Sequence, residues 1–252
     1  PISFYLHSVD DSREGLADHY AENIWLSTNG GGIGAHWSDV RSVGQKTASG
    51  SETTGIIPFI KVADSQVPAF KQGITRKGAY AAYLSVSHPE IEEFLSIRSN
   101  DGGPEERKSF NTHIGVVLSD AFMSAVKENK EWELTDPHSG EVVKTIEARE
   151  LWGQIIQRRF SDRGEPYLFF EDVANDFSSY PVGYPSIKGS NLCTEITLAT
   201  DADMTAVCCL SSVNLAKYFE WYTNELFIAD LVEMLDNALT VFECCAPYTL
   251  DY

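Results

Sequence analysis

Apolar residues crowd into short runs set apart by polar, glycine-rich stretches. "ISFYLHSV" (2–9) reads as a strand. Asp11 or Ser12 can cap the helix that follows, with Leu16, Tyr20 and Ile24 at helical spacing. That helix runs out at "NGGGIG" (29–34), and residues 41–55 form a polar loop rich in Ser, Thr and Gly. A second loop, "QGITRKGA" (72–79), leads into the strand "YAAYLSV" (80–86). Pro89 suits the first turn of a helix continued by "EIEEFLSIR". "THIGVVL" (112–118) predicts a strand, "SDAFMSAV" a helix, and "WELTDPHSGEVV" a surface excursion shaped as a hairpin around "HSGE". "ARELWGQIIQRRF" (148–160) is an amphipathic helix, and "PYLFF" (166–170) and "TAVCCLSS" (205–212) are short buried strands. From about Thr223 to Cys244 the apolar positions again recur helically. Short buried strands alternating with helices predict an α/β class with parallel strands. A barrel and an open sheet fit that pattern equally.

With 252 residues, 43% of them hydrophobic, the chain can build a sizeable core. No run approaches the length of a membrane span and no signal peptide opens the chain. The abrupt start at Pro1 and the abrupt end past a helical pattern suggest a fragment or one piece of a split protein. The formal net charge of -18 offers no basic footprint for nucleic acid, although local donors could still hold a phosphorylated small molecule. The cysteines are Cys193, Cys208, Cys209, Cys244 and Cys245. They form no CxxC pair and the histidines show no zinc spacing, so no metal site is expected. An odd count with two adjacent pairs is no secreted framework and points to a reducing, cytoplasmic compartment.

One stretch is too polar to be plain core. "SNLCTEI" (190–196) sets Cys193 between Asn191 and Glu195. If the segment is extended, these three side chains share one face: a sulfur, a neutral hydrogen bonder and a possible base. The other cysteines read as packing residues, with Cys208 and Cys209 on opposite faces of their strand. The six histidines are scattered and suggest no triad. Gly30 to Gly34 could bring backbone N–H groups to a phosphate, but they follow a helix and no GK[ST] comes after them, so an ordinary loop is the simpler reading. Arg76 and Lys77 beside a glycine suggest an anionic ligand in a chain this acidic.

Taken in order, "PIS" with "DDSREGL", "NGGGIG", "VRSVG", "GIIPF", "RKGAYAAYL", "HPEIEEFL", "GEPYLFFED", "SNLCTEI" and "TAVCCLSSVNL" make the chain resemble the large (alpha) subunit of class I ribonucleotide reductases. The likeness runs over essentially all of residues 1–252 and matches about the first half of that family's catalytic barrel domain. It implies half of a ten-stranded α/β barrel, with the thiol on a finger loop. The resemblance makes Cys193 the thiyl radical that takes hydrogen from C3′ of a ribonucleotide substrate, Glu195 the base for the 3′-hydroxyl, and Asn191 a hydrogen bonder to the sugar. Cys208 matches the thiol that protonates the departing 2′-hydroxyl and helps reduce the sugar. Its family partner is a first-strand cysteine, and here that position is Phe4.

Other positions carry over singly. Ser3 matches a substrate-contacting serine, and Gly31 and Gly32 match backbone donors to the substrate phosphates. Arg76 lies on the loop that reports effector identity to the substrate base. Asp11, Ser12 and Arg41 match the site for a deoxynucleoside triphosphate effector with its magnesium. No cofactor is expected to be held tightly by this chain, because the family's radical comes from a metal-containing beta subunit. The implied partners are that beta subunit, a complementary C-terminal alpha half and a second alpha copy. A catalytically inactive nucleotide-binding regulatory relative, or a truncated product, is the alternative that Phe4 raises.

Overall fold

The computed structural model describes residues 2–70, 77–100 and 102–250, with residues 2 and 245–250 by backbone alone. Two compact units emerge: a larger one, Tyr5–Ala206, and a smaller one made of the residues up to Phe4 with those from Val207 onward.

The larger unit is built on parallel pairing. β1 (Ile2–Ser8) leads through α1 (Arg13–Thr28) to β2 (Gly32–His36), and α2 (Ile56–Ala69) crosses to β3 (Ala79–Ser85). After the single turn α3 (Ile91–Phe94) comes β4 (Thr112–Leu118), then α4 (Asp120–Glu128), the hairpin β5 (Glu131–Thr135) and β6 (Val142–Glu147), α5 (Ala148–Ser161), β7 (Tyr167–Phe170) and α6 (Glu171–Asp176). Strand order is β7-β4-β3-β2-β1, with β2–β3, β3–β4 and β4–β7 all parallel. A parallel sheet needs both faces covered, so its strands read as apolar runs without alternation. In β3, five consecutive residues from Tyr80 to Leu84 are buried.

The two faces are covered differently. On one, Ile33, Ala35, Tyr80, Ala82, Ile114 and Val116 meet the helices through residues such as Ile57, Ile60, Leu151 and Ile155. On the other, Ala81, Tyr83, Val117 and Phe169 pack with Ile187, Leu192 and Ala199 of the irregular segment between α6 and β8 (Ala206–Cys209). That segment carries "SNLCTEI", so this second face positions the site. In the smaller unit β8 follows β1 in strand order, and α7 (Tyr218–Trp221) and α8 (Phe227–Leu250) complete it.

Several expectations need correcting. "GIGAH" is a strand, not the tail of a glycine loop: Gly32 to His36 pair with Ala79 to Tyr83. "IIPFIKVADSQVPA", to which the pattern assigned no element, is a helix. Pro58 is tolerated in the first turn, where N–H groups have no helical partner anyway. The helix expected from Pro89 to Arg98 shrinks to Ile91–Phe94.

Candidate active site

Residues 190–196 form a turn, which corrects the extended reading. Thr194 has φ 67°, the left-handed region that a β-branched residue rarely enters. Alternation therefore fails: Asn191 is fully buried, whereas Cys193 and Glu195 are exposed. Asn191 organises the turn from beneath. Its Oδ1 accepts from the backbone N–H of Glu195 (3.1 Å) and of Ile196 (3.2 Å), and its carbonyl accepts from the N–H of Thr194 (3.3 Å). The Ser190 hydroxyl donates to the Ile196 carbonyl at 2.7 Å. Asn191 Nδ2 is buried and donates to no described protein atom. A buried amide donor without an acceptor carries a desolvation cost, which a ligand oxygen would remove.

Two strands seat the turn. On β2, Gly34 leaves room for it: a Cβ there would stand 1.9 Å from the Ser190 carbonyl oxygen and 2.8 Å from Asn191 Cα. On β3, the Tyr83 hydroxyl donates to the Asn191 carbonyl (2.6 Å) and meets Thr194 Oγ1 at 2.7 Å. Burial raises the Tyr83 phenol well above its usual range, so it stays a neutral donor. Tyr83 did not stand out in the sequence, and Gly34 did so only as one of a run of glycines. The signal for Gly34 was a glycine inside a strand, which marks a close backbone approach, but the strand itself had gone unrecognised.

The glycines expected to face substrate phosphates adjoin the same strand. Gly31 sits under the Tyr5 ring, where a Cβ would lie 2.5 Å from a ring carbon, and Gly32 opens β2 opposite Ala79. Ser3, Phe4 and Cys208 belong to the smaller unit, where Ser3 and Phe4 are buried and Cys208 is half-buried. Arg76 lies outside the described residues.

Asp11, Ser12 and Arg41 do come together. Ser12 caps α1 by accepting from the N–H of Gly15 at 2.9 Å. The Arg41 Nε lies 3.0 and 2.9 Å from the two carboxylate oxygens of Asp11, and Nη1 donates to the Lys46 carbonyl at 2.7 Å. They border a cleft of about 590 Å³ that Arg13, Thr47, Ser49 and Phe59 also line. His138 from the β5–β6 hairpin reaches Asp11 at 3.2 Å. The hydrogen bond to Asp11 raises the guanidinium further, so Arg41 is a permanent cation at this cleft. The remaining histidines keep their bland reading. His19 is buried against Tyr80 and Asn23, and burial, then the charge of His7, pushes its pKa well down.

A parallel α/β sheet with helices on one face and an irregular segment seated on the other is the architecture of an α/β barrel domain. The family model for the ribonucleotide reductase barrel domain matches residues 2–249, and the chain belongs to that family. The putative ribonucleoside-diphosphate reductase large subunit of Frog virus 3 (isolate Goorha) is 47% identical over 249 residues, covering 98% of this chain and 42% of that protein. The ribonucleoside-diphosphate reductase subunit alpha of Chlamydia trachomatis serovar D is 31% identical, covering 95% of this chain and 26% of its own length. Among solved structures, the Actinobacillus ureae class Id ribonucleotide reductase alpha subunit superposes with a TM-score of 0.67 at 30% identity, over 89% of this chain and 38% of that one. The chain thus spans less than half the length of these relatives, and its fold is the half-barrel that the resemblance implied.

Proposed function

We propose that this chain supplies the first half of the catalytic barrel of a ribonucleoside-diphosphate reductase alpha subunit. The observation that carries the reading is the turn at 191–195. It presents an exposed thiol and an exposed carboxylate within four residues of a fully buried amide whose Nδ2 has no described acceptor. In that reading a Cys193 thiyl radical takes the C3′ hydrogen of the ribonucleotide, Glu195 accepts the 3′-hydroxyl proton, and Asn191 Nδ2 donates to a sugar oxygen. Cys208 donates a proton as the 2′-hydroxyl leaves as water. A metal-containing beta subunit supplies the radical, and the closed barrel keeps water and quenchers from it. The Asp11–Ser12–Arg41 cleft takes the deoxynucleoside triphosphate effector with its magnesium: Arg41 pairs with phosphate, while Asp11 is suited to hydroxyl or base donors and not to phosphate. The beta subunit, a complementary C-terminal alpha half and a second alpha copy are the proposed protein partners.

The test is assembly of the chain with a C-terminal alpha half and a beta subunit, with Phe4→Cys in the background to supply the second thiol. Single-turnover deoxyribonucleotide formation is expected, and Cys193→Ser is expected to abolish it. Product at the same rate from the Cys193→Ser protein would overturn the assignment.

A further inference from the structure

We propose that Tyr83 is the positioning residue for Cys193, acting through the backbone of the turn and not through the substrate; the identification of Cys193 as the reacting thiol rests on the function proposed above. Three observations carry this. First, the Tyr83 hydroxyl has one proton, and the 2.6 Å bond to the Asn191 carbonyl takes it. The Tyr83 oxygen is then left to accept from the Thr194 hydroxyl at 2.7 Å. A single phenol oxygen therefore bonds the residues on both sides of the Leu192–Cys193 pair. Second, Thr194 sits at φ 67°, a conformation that costs a β-branched residue free energy and persists only when its surroundings impose it. The bond to Tyr83 is the described side-chain contact that imposes it. Third, the fold makes room for this phenol. Tyr83 is fully buried, its ring lies over Gly115 of β4, where a Cβ would stand 2.4 Å from a ring carbon, and its edge meets Phe169. A ring fixed on the central strand of the larger unit sets the height and direction of Cys193 from the sheet itself.

The test is Tyr83→Phe, which keeps the ring and removes the hydroxyl, paired with Thr194→Val, which removes only the second bond. Hydrogen exchange, resolved by peptide, is read on the chain itself for the amides of Thr194, Glu195 and Ile196, with the α8 peptide containing Cys244 as the internal control. Tyr83→Phe is expected to speed exchange in the turn by about five-fold or more, as loss of a net-favourable buried bond predicts. Thr194→Val should give part of that change, the double variant no more than Tyr83→Phe alone, and the control peptide none. In the assembled reductase carrying Phe4→Cys, the same substitution should lower kcat by a larger factor than it raises KM, because Tyr83 touches no substrate itself while the turn that carries Cys193 is loosened. Unchanged exchange in the turn for Tyr83→Phe overturns the proposal. Faster exchange with kcat unchanged would instead leave Tyr83 holding the turn while removing Cys193 from the chemistry, so the two readings fail separately.

Discussion

At Gly34 a hydrogen atom stands where any other residue would drive a methyl group to 1.9 Å from the Ser190 carbonyl. Backbone carbonyls in a seated turn cannot give way as a flexible side-chain end can, so the turn as a whole must rise. Gly34→Ala is therefore expected to destabilise the larger unit by about 1–3 kcal/mol, the usual cost of overpacking, and to expose the 190–196 amides to exchange. Thermal unfolding and hydrogen exchange check it, and a stable variant with the turn still protected would sink the account of β2. At this scale the sequence offered candidate chemistry and was poor about geometry. "SNLCTEI" drew notice because an amide, a thiol and a carboxylate rarely crowd a core. Their expected common face was wrong, because alternation holds only for extended backbone and nothing local announces a threonine at φ 67°. Its hydroxyl bonds Tyr83, a contact across 111 residues that no local pattern contains.

Among the elements, β3, β4, β7, α1, α4, α5 and the hairpin followed from their periodicity. β2 and α2 did not, since a strand buried on both faces has no alternation and a helix with two prolines looks broken. α2 is held at its start by a distant side chain. Glu90, just before α3, accepts from the N–H of Ile56 at 3.0 Å and of Val43 at 3.1 Å, placing its carboxyl at the helix N-terminus. Burial nonetheless dominates and raises Glu90 to about 7, against the pull of those N–H groups and of Arg107. The sign of the linkage follows. A carboxyl whose folded pKa lies above its unfolded value contributes stability that is complete below about 4.5 and is lost as pH rises through about 7. Glu90→Gln keeps an acceptor for the two N–H groups and removes the charge. The variant should match the parent near pH 4.5 and exceed it by about 1–3 kcal/mol at pH 8. Urea unfolding at the two pH values decides, and an equal difference at both would mean that Glu90 is ionised throughout.

For the molecule as a whole, the smaller unit presents much apolar surface. Leu210, Leu215, Phe219, Leu226, Ile228, Val232, Met234, Leu239 and Val241 are all exposed. Exposed apolar side chains in that number suit an interaction surface, and no helix of the described residues is long and apolar enough to cross a membrane. On the proposed function the surface is covered by the C-terminal alpha half. At net charge -18, like copies repel at low salt, so a matched partner should be preferred over a second copy there. On the same proposal, the chemistry of the assembled protein turns on Phe4. Reducing the sugar takes two electrons, which a thiol pair delivers by closing a disulfide, and Cys208 shares its strand with Cys209, a neighbour whose bond to it would be strained. With Phe4 in place, the assembled reductase is expected to give little multiple turnover. Phe4→Cys should restore it under a dithiol reductant, although removing a buried ring costs about 3–5 kcal/mol by the measure of Phe→Ala changes. Rates must therefore be compared per folded molecule, below the variant's unfolding midpoint. Rapid turnover with Phe4 intact would show that the electrons arrive by a route without Cys208, and its assignment as half of the reducing pair would fall.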